Sequence, residues 1–411
     1  MDLKEIRASF PALNRLVNGK PIIYFDNACM SMVPQAVIDS IVSYYRDYPA
    51  CAGRSVHRLS LEVSTKYEEA RDRTSEFFNG DRNSFIFLRN TTEGINLVAR
   101  AMEFKRGDMV VTTDREHNSN LSVWHFLSRE KGVVHRVVLS NKDNSFNIEN
   151  FKNIINKKVK LVSMAHVSNL DGVSIPVKEI IDIAHQYNIP VMLDGAQAAP
   201  HMKLDLKKMD VDFYALSMHK MCGPNATGVL YGKYELLRKM KPFIVGGGTV
   251  QSTSYGDTVY LDPPERYEAG LQNYASVIAV KAALDFLSSI GMDWIEEHVH
   301  ALNKRVTEGL KDLEGLHVIG PRESSLRGSI FAFILDHFSA HDIAMILDES
   351  ENIFIRSGLH CDHSWFNDKK ISGSARASFY LYNTMEEADI FVYALKKLYN
   401  EFKGIVTSSS S

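Results

Sequence analysis

Lys220 lies between two apolar segments of the sequence, "DFYAL" (212–216) and "TGVLY" (227–231), within the stretch "MHKMCGPNATGVLYG". A lysine is rarely buried without a partner, and burial lowers the pKa of its amine. Such an amine can form a Schiff base with a carbonyl compound. A solvated loop lysine is the alternative, and this segment by itself leaves both interpretations open.

A second segment of interest follows the apolar run "SFIFL" and reads "RNTTEGINLVAR". Asn90 favours a helix N-cap, and Glu93 lies at the spacing of a capping box. The free N–H groups of such a helix, with the hydroxyls of Thr91 and Thr92, can bind a phosphate group. A capped helix that binds nothing is the plainer alternative.

Asp194 ends the apolar run "PVMLD" (190–194), where a buried carboxylate needs a cation or hydrogen-bond donors. A cap or turn residue would also explain it. Together, a Schiff-base lysine, an acidic partner for a pyridinium nitrogen and a phosphate site predict a pyridoxal 5'-phosphate site. The sequence contains neither GxGxxG nor GxxxxGK[ST], so nucleotide binding lacks its usual loops.

Cys361 stands between two histidines in "IRSGLHCDHSWF" (355–366). Three interpretations are open: a nucleophilic thiol, a metal ligand, or an ordinary loop cysteine. His360, Cys361 and His363 are too close together for usual zinc spacing, and no second ligand pair is evident. The sequence therefore predicts no metal site.

These residues need a scaffold that brings distant segments together. Short β-rich runs alternate with helical stretches between about 84 and 231, and several runs are apolar throughout, as in strands buried on both faces. The pattern predicts an α/β fold with a mainly parallel seven-stranded sheet, whose ligands bind beyond the carboxyl ends of the strands. The runs are 84–88, 109–113, 133–138, 160–166, 190–194, 212–216 and 227–231.

A change of composition follows the Gly/Ser/Thr-rich loop at 244–257. Long helices at about 274–290 and 292–313 come next, and then short strands mixed with helices. We predict four parts: an N-terminal segment that packs on the small domain (1–20), a large cofactor-binding α/β domain (21–257), a smaller α+β C-terminal domain (258–404) and a flexible tail (405–411).

The composition argues against several classes of partner. A net charge of -3 in 411 residues gives no reason to expect nucleic acid or an anionic membrane. No apolar run approaches the ~20 residues of a membrane-spanning helix, and the start lacks the form of a signal peptide. The four cysteines include no CxxC pair, which favours reduced thiols and a cytoplasmic location.

Ordered motifs across nearly the whole chain resemble the class V aminotransferase family of fold-type I pyridoxal phosphate enzymes. The resemblance is strongest to group II, SufS-type cysteine desulfurases, with selenocysteine lyases nearby. The motifs are "YFDNACMS", "NTTEGINLVA", "TDREHNSN", "AHVSNLDG", "MLDGAQAA", "SMHKMCGPNATGVLYG", "RYEAG", "RSGLHC" and "ARASFYLYNT".

The resemblance implies roles for the cofactor-facing residues. Lys220 would carry the cofactor covalently, Asp194 would pair with the pyridine nitrogen, and Gln197 would hydrogen-bond the ring hydroxyl. His117 would stack on the ring and handle protons, and Asn169 would lie beside cofactor and substrate. The phosphate would meet four side chains: Thr91, Thr92, Ser217 and His219.

The resemblance also implies the reaction. Arg376 would clamp the substrate carboxylate, for which a bidentate guanidinium is suited, and Arg356 would lie near the entrance. Cys361 matches the cysteine of "R-[ST]-G-x-H-C" and would take sulfur from L-cysteine as a persulfide, leaving L-alanine. His360 and Arg356 would favour its thiolate. A homodimer and a sulfur-accepting or scaffold protein are the implied partners, and the sequence leaves open whether iron–sulfur clusters, thiolated tRNA or another product is the destination.

Two rival functions stay open at this point. Other class V reactions on the same site, such as selenocysteine lysis, β-elimination (a cysteine lyase or desulfhydrase), epimerisation or transamination, would use Lys220 and Arg376 but differ in their need for Cys361. A diverged paralogue that binds the cofactor without catalysis is the second rival.

The sequence departs from the family pattern at two places that bear on the site. Where the family often reads "EAGTPN", this chain reads "EAGLQN", so Leu271 replaces a threonine that reaches the phosphate of the neighbouring subunit. Asp362 follows Cys361 where a small residue is usual. A carboxylate there is expected to raise the pKa of the thiol and reduce its reactivity.

Overall fold

All seven runs expected to form the main sheet are strands in the structure, a computed structural model that describes residues 2–409, with side chains through Glu401. The strands are β1 (Leu16–Val17), β2 (Lys20–Pro21), β3 (Ile23–Tyr24), β4 (Phe85–Leu88), β5 (Met109–Thr113), β6 (Val134–Val138), β7 (Val159–Ala165), β8 (Val191–Asp194), β9 (Phe213–Ser217), β10 (Gly228–Gly232), β11 (Val250–Thr253), β12 (Thr258–Tyr260), β13 (Leu316–Val318), β14 (Ile330–Leu335), β15 (Ile353–Phe354), β16 (Arg356–Gly358) and β17 (Ser374–Ser378).

The helices alternate with these strands through the first half of the chain and dominate the second. They are α1 (Leu3–Ala8), α2 (Gln35–Asp47), α3 (Arg58–Phe78), α4 (Thr91–Ala101), α5 (Asn118–Lys131), α6 (Ile148–Ile154), α7 (Val177–Gln186), α8 (Leu206–Met209), α9 (Tyr234–Lys239), α10 (Tyr274–Ile290), α11 (Met292–Leu310), α12 (Ala340–Glu351), α13 (His363–Lys369) and α14 (Met385–Ser409). Short 3₁₀ turns lie at Pro11–Asn14, Arg82–Ser84, Met218–Lys220, Glu265–Tyr267 and Ser324–Leu326.

The main sheet has seven strands in the order β4-β10-β9-β8-β7-β5-β6. The strands from β6 to β9 pair in parallel, and β10 runs antiparallel to both β9 and β4. This confirms the predicted fold. Successive residues point to opposite faces, so Val229 packs under α3, α7 and α10, and Leu230 packs under α4, α5 and α9. Both faces are therefore buried.

The carboxyl ends of the parallel strands meet at one edge of the sheet. Asp194 pairs in register with Ala165 and Ala215, so the ends of three strands lie side by side. The antiparallel strand β10 begins at this edge with Gly228, where a Cβ would lie 2.6 Å from the Cα of Asn90. Glycine at 228 thus lets the start of α4 approach the sheet edge.

A smaller antiparallel sheet, β13-β14-β17-β16, forms with α11, α12 and α14 a second hydrophobic core. The chain's start is tied to this part: β3 pairs in parallel with β15, and Asp26 bridges to Ser378. Arg7 donates to the carbonyl oxygen of Tyr382 at 2.6 Å. Of these contacts only that of Arg7 involves the segment 1–20, whereas β3 and Asp26 belong to the predicted 21–257 domain; the predicted domains stay a prediction.

Helix α10 belongs with the main sheet although it follows the predicted boundary at 257. Its apolar residues pack on α2 and α3 within the larger core. Within the described chain no single helix is long and apolar enough to cross a membrane; the pair α10 and α11, bent by 72°, passes only when both are taken together. The predicted tail, 405–411, lies outside the residues with described side chains, and α14 extends through Ser409.

A buried ion pair ties α3 to the segment that precedes α10. The guanidinium of Arg71 donates from both Nη atoms to the carboxylate of Glu268, each at 2.9 Å, and Nη1 also donates to the Phe85 carbonyl at 2.7 Å. Glu268 accepts further bonds from the Phe87 N–H at 2.8 Å and the Tyr67 hydroxyl at 2.9 Å. Because the network includes the Phe85 carbonyl and the Phe87 N–H, it holds β4 beside the second half of the chain.

Removing one partner of this pair should destabilise the protein strongly. Glu268→Ala leaves the Arg71 charge buried and unpaired, and we expect a loss of about 3–5 kcal/mol in the free energy of unfolding, measured by chemical denaturation. The matched control is Asp47→Ala, which breaks the exposed pair with Arg46 and should change the free energy of unfolding far less than Glu268→Ala. Equal effects of the two substitutions would contradict this account.

Candidate functional site

A cavity of about 200 Å³ opens at the carboxyl edge of the main sheet. Its walls come from both halves of the chain, from the strand ends of the main sheet and from β16, β17 and the loop after β16. All twelve residues predicted for the site line it: Thr91, Thr92, His117, Asn169, Asp194, Gln197, Ser217, His219, Lys220, Arg356, Cys361 and Arg376. The structure therefore brings them together, and their individual roles stay predictions.

Lys220 ends the 3₁₀ turn after β9, with its partly buried side chain at the cavity. Burial lowers the pKa of its amine, the nearby Arg376 guanidinium lowers it further, and Asp194 opposes both. Within the described chain the amine has no hydrogen-bond or ion-pair partner. A larger fraction of this amine is therefore neutral at a given pH than for an exposed lysine.

Asp194 is the last residue of β8 and is only 6% exposed. Its Oδ1 accepts a hydrogen bond from the Ala196 N–H at 2.9 Å, and no ion pair within the described residues involves this carboxylate. Burial raises its pKa. Gln197, on the turn that follows, donates from Nε2 to the Ala28 carbonyl at 2.7 Å. This bond joins the segment after β3 to the cavity wall.

The start of α4, predicted to hold a phosphate, forms one end of the cavity. Asn90 is the N-cap and accepts a hydrogen bond from the Glu93 N–H at 3.0 Å, as predicted. The Ser217 hydroxyl accepts from the Thr91 N–H at 2.9 Å and lies 2.7 Å from the Thr91 hydroxyl. Hydroxyl groups and the positive end of the helix dipole thus lie together at this end of the cavity. His219, also at the cavity, is held neutral because burial lowers its pKa to about 4.

His117 is the N-cap of α5 and presents a neutral imidazole to the cavity. Its Nδ1 accepts a hydrogen bond from the Ser119 N–H at 3.1 Å, which places the ring proton on Nε2. Burial lowers its pKa to about 4, and the Lys220 amine adds to the effect. The Ser119 hydroxyl bonds to that of Thr92 at 2.7 Å. Ser119 was missed in the sequence, although it stands two residues after the predicted His117.

The two arginines, twenty positions apart, converge because they are paired residues of adjacent antiparallel strands. Arg356 of β16 lies directly opposite Arg376 of β17, so both side chains project from the same face. Arg376 is 3% exposed; its Nη1 donates to the Asn169 carbonyl at 2.7 Å, and its buried Nε has no protein partner. A buried guanidinium with a free donor is suited to an anionic ligand.

Cys29, a residue that the sequence did not assign to the site, enters it with its side chain. Arg356 Nη1 donates to the Cys29 sulfur at 3.2 Å, and both residues line the cavity. Arg356 was expected to favour a thiolate at Cys361, but the sulfur it contacts is that of Cys29. The pairing of β3 with β15 brings the segment after β3, which contains Cys29, next to Arg356 of β16. The contact therefore depends on the tertiary structure.

The loop of Cys361 is short and anchored on both sides. It connects β16 to α13, and the Cys361 carbonyl accepts a hydrogen bond from the Asn118 N–H at 2.8 Å. The Asn118 side chain lies 2.8 Å from His363 Nδ1. The side chain of Cys361 is partly exposed at the cavity, within reach of a ligand. This position suits a nucleophilic thiol, one of the three interpretations left open by the sequence.

Two expectations about the neighbours of Cys361 are wrong. His360 was expected to favour the thiolate as a cation, but burial lowers its pKa to about 2 and its Nε2 bonds to Ser374 Oγ at 2.8 Å, so it is neutral. Asp362 was expected to place a negative charge beside the thiol. Its carboxyl group is instead fully buried, which raises its pKa well above the ordinary range and favours the uncharged form.

The remaining cysteines lie outside the cavity. Cys222 is buried in the main core, and burial raises the pKa of its thiol to about 12, in agreement with a packing role. Cys51 is partly exposed and not among the cavity residues. Within residues 2–409, no group of three or more His, Cys, Asp or Glu side chains is arranged to hold a metal ion.

Comparison with known proteins gives the chain a family context. The family model for "Aminotransferase class-V" matches residues 23–391. A curated cysteine desulfurase of Haloferax volcanii is 38% identical over 96% of both chains. A probable cysteine desulfurase of Halobacterium salinarum is 40% identical, again over 96% of each chain.

A solved structure shares the fold over nearly the full length. The apo structure of a cysteine desulfurase from Thermococcus onnurineus superposes with a TM-score of 0.92 at 36% sequence identity, covering 97% of this chain and 98% of that one. The similarity therefore covers both the main sheet and the C-terminal part, which together form the walls of the cavity.

The burial of the cysteines predicts a difference in thiol reactivity. We expect N-ethylmaleimide to modify Cys29 and Cys361 in the folded protein, because both line an open cavity, and to spare Cys222. Peptide mass spectrometry would measure the labelling of each cysteine over time. Protein unfolded in guanidinium is the control, in which Cys222 must react. Modification of Cys222 in the folded protein as fast as Cys361 would contradict the described burial.

Proposed function

Because this chain belongs to the aminotransferase class-V family, we propose that it is a pyridoxal phosphate-dependent cysteine desulfurase. It would convert L-cysteine to L-alanine and retain the sulfur as a persulfide on Cys361. The observation that carries this proposal is one cavity that combines a buried amine, a buried guanidinium and a partly exposed thiol: Lys220, Arg376 and Cys361.

The residues of the cavity fit pyridoxal phosphate. Asp194 is a buried carboxylate without an ion pair in the described chain. The protonated ring nitrogen of the cofactor would supply the missing cation. The start of α4, with Thr91, Thr92 and Ser217, would hold the phosphate, and Lys220 would attach the aldehyde carbon. When bound, the cofactor supplies covalent attachment for an amino group and a sink for electrons from bonds that break nearby.

The remaining residues would bind and orient the amino acid. Arg376 would take the substrate carboxylate, since its Nε is buried and unpaired while Asn169 fixes its Nη1. The lowered pKa of Lys220 favours the neutral amine, the form that can accept a proton, more than in an exposed lysine. His117, neutral with a proton on Nε2, would present a flat uncharged ring that donates one hydrogen bond.

The sulfur step would be carried by Cys361. Its thiolate attacks the sulfur of the bound L-cysteine, a sulfur–sulfur bond forms, and the carbon–sulfur bond of the substrate breaks. L-cysteine and the enzyme thiol then give L-alanine and the enzyme persulfide, so atoms and electrons balance without an external oxidant. The thiol proton ends in the alanine formed. Lys220, a cavity group with a depressed pKa, can deliver it.

We further propose that the enzyme works as a homodimer in the cytoplasm. Several large apolar side chains are exposed on the loops around residues 52–56 and 244–271, including Val56 (94% exposed) and Leu271 (63% exposed). Arg54 donates to the Gly270 carbonyl at 2.9 Å, so these loops form one surface. Exposed apolar patches of this kind mark protein interfaces. Four unpaired cysteines suit a reducing compartment.

A sulfur-accepting protein would complete the cycle. The persulfide on Cys361 lies at an open cavity, and a partner thiol of low pKa that reaches the cavity mouth could remove its outer sulfur. The acceptor would therefore be a protein or a small molecule with an accessible thiol.

Loss of the thiol should stop sulfur transfer. With L-cysteine and a thiol reductant, we expect the wild type to form alanine and sulfide in equal amounts, and Cys361→Ala to form both at a rate lower by on the order of a hundredfold or more. Cys51→Ala, outside the cavity, is the matched control and should behave as wild type. Equal rates for wild type and Cys361→Ala would assign the protein to a lyase or transaminase reaction instead.

Loss of the amine should remove the covalent attachment of the cofactor. After borohydride reduction of the purified protein, we expect peptide mass spectrometry to find the pyridoxal phosphate mass on the peptide that contains Lys220. The variant Lys220→Ala should lack that adduct and be inactive, whereas Lys241→Ala, an exposed lysine paired with Glu103, should retain both. An adduct on a different lysine in the wild type would contradict the proposed site.

A further inference from the structure

The loop that carries Cys361 has an unfavourable backbone conformation. His360 and Cys361 have φ angles of 47° and 64°, so two consecutive residues with side chains lie in the left-handed region. Neither is glycine or asparagine, the residues that adopt this conformation most readily. A conformation of this kind persists only where surrounding contacts fix it. Contacts from neighbouring segments must therefore hold this loop.

Asn169 supplies two of these contacts from outside the loop, and Ser374 supplies another to His360. Both hydrogens of its Nδ2 are used: one bond goes to the His360 carbonyl at 2.7 Å and the other to Asp362 Oδ2 at 2.6 Å. The two acceptors flank Cys361 in the chain. With the bond from the Asn118 N–H to the Cys361 carbonyl, three consecutive residues are held.

Asp362 is unusual because it is a fully buried carboxyl group without a cation. It is 0% exposed, no ion pair of the described chain includes it, and its Oδ1 has no hydrogen-bond partner. Burying such a group without a partner costs free energy. Its hydrogen bond to Asn169 is the interaction that offsets part of this cost. Asp362 does not line the cavity, so it contacts neither the cofactor nor the substrate directly.

Asn169 also holds the substrate end of the cavity. Its backbone carbonyl accepts the Nη1 hydrogen bond of Arg376 at 2.7 Å, while its side chain holds the Cys361 loop. One residue therefore fixes the position of the expected carboxylate-binding guanidinium relative to the expected nucleophilic thiol. The distance between these two groups decides whether the substrate sulfur lies in line with the thiol.

We propose that Asp362 is a positioning residue for sulfur transfer, which acts through Asn169 to hold the Cys361 loop in its left-handed conformation against Arg376. The effect on sulfur transfer rests on the proposed desulfurase function, whereas the effect on the loop does not. The function of the carboxyl group is to accept a hydrogen bond in a buried place, and a neutral group of the same shape should replace it.

The test compares three substitutions in the full-length holoenzyme. Asp362→Ala removes the acceptor, Asp362→Asn keeps an oxygen acceptor in a neutral side chain, and Asp368→Ala is the matched control on the exposed side of α13. Asp362→Ser, which is too short to reach Asn169, replaces the alanine variant if that protein does not fold. Three quantities are measured: amide hydrogen exchange of the peptide at 359–371, the rate of Cys361 alkylation by iodoacetamide, and Cys361 persulfide formed in a single turnover with L-cysteine.

For Asp362→Ala we expect at least about tenfold faster exchange in the loop and at least about tenfold slower persulfide formation, with a smaller change in the KM for L-cysteine. The rate of Cys361 alkylation should change as well, because the thiol leaves its fixed position. Asp362→Asn should stay within about threefold of the wild type in all three measurements. The reducible adduct on Lys220 should be unchanged in every variant, because Asp362 lies outside the cavity.

Two results would overturn the proposal. One is an Asp362→Ala protein with wild-type exchange and alkylation, since the loop would then not depend on the carboxyl group. The other is an Asp362→Asn protein as impaired as Asp362→Ala, which would show that charge rather than an acceptor is needed. If the wild type forms no persulfide, the desulfurase function fails, and the exchange and alkylation measurements still decide the role of Asp362.

Discussion

A parallel sheet covered on both faces leaves its carboxyl edge as the place where polar groups can collect, and the site of this protein depends on that constraint. Helices α4, α5 and α9 cover one face and α3, α7 and α10 the other. The residues that follow β4, β5, β8 and β9 therefore meet at one cavity. Gly228 permits the close approach of Asn90, which brings the N-terminus of α4 to this point.

Burial sets the charge state of the groups around the cavity more than pairwise attraction does. The pKa of the Lys220 amine is lowered, the pKa values of His117 and His219 fall to about 4, and that of Asp194 is raised, in each case chiefly by desolvation. Two neutral histidines and a lysine of lowered pKa beside a buried arginine suit an anionic ligand and proton transfer. Pyridoxal phosphate would bring a negative phosphate to the start of α4 and a cationic ring to Asp194.

The C-terminal part contributes the groups expected to act on the substrate. Antiparallel pairing of β16 with β17 places Arg356 opposite Arg376, and the short loop after β16 presents Cys361. Because Asn169 contacts both Arg376 and this loop, the arginine and the thiol are fixed to the main sheet by the same residue. The second thiol of the cavity, Cys29, accepts the hydrogen bond of Arg356, so the two cysteines have different electrostatic surroundings.

The sequence determined the seven strands of the main sheet, the edge at which the cavity opens and twelve of the residues that line it, because apolar runs, caps and ordered motifs are local properties. It misjudged what depends on contacts between distant segments. The partner of Arg356 and the neutrality of His360 and Asp362 follow from which groups are buried together. The packing of α10 on α2 and α3 likewise crosses the boundary that composition predicted. Burial and pairing are tertiary quantities, so only the folded structure decided them.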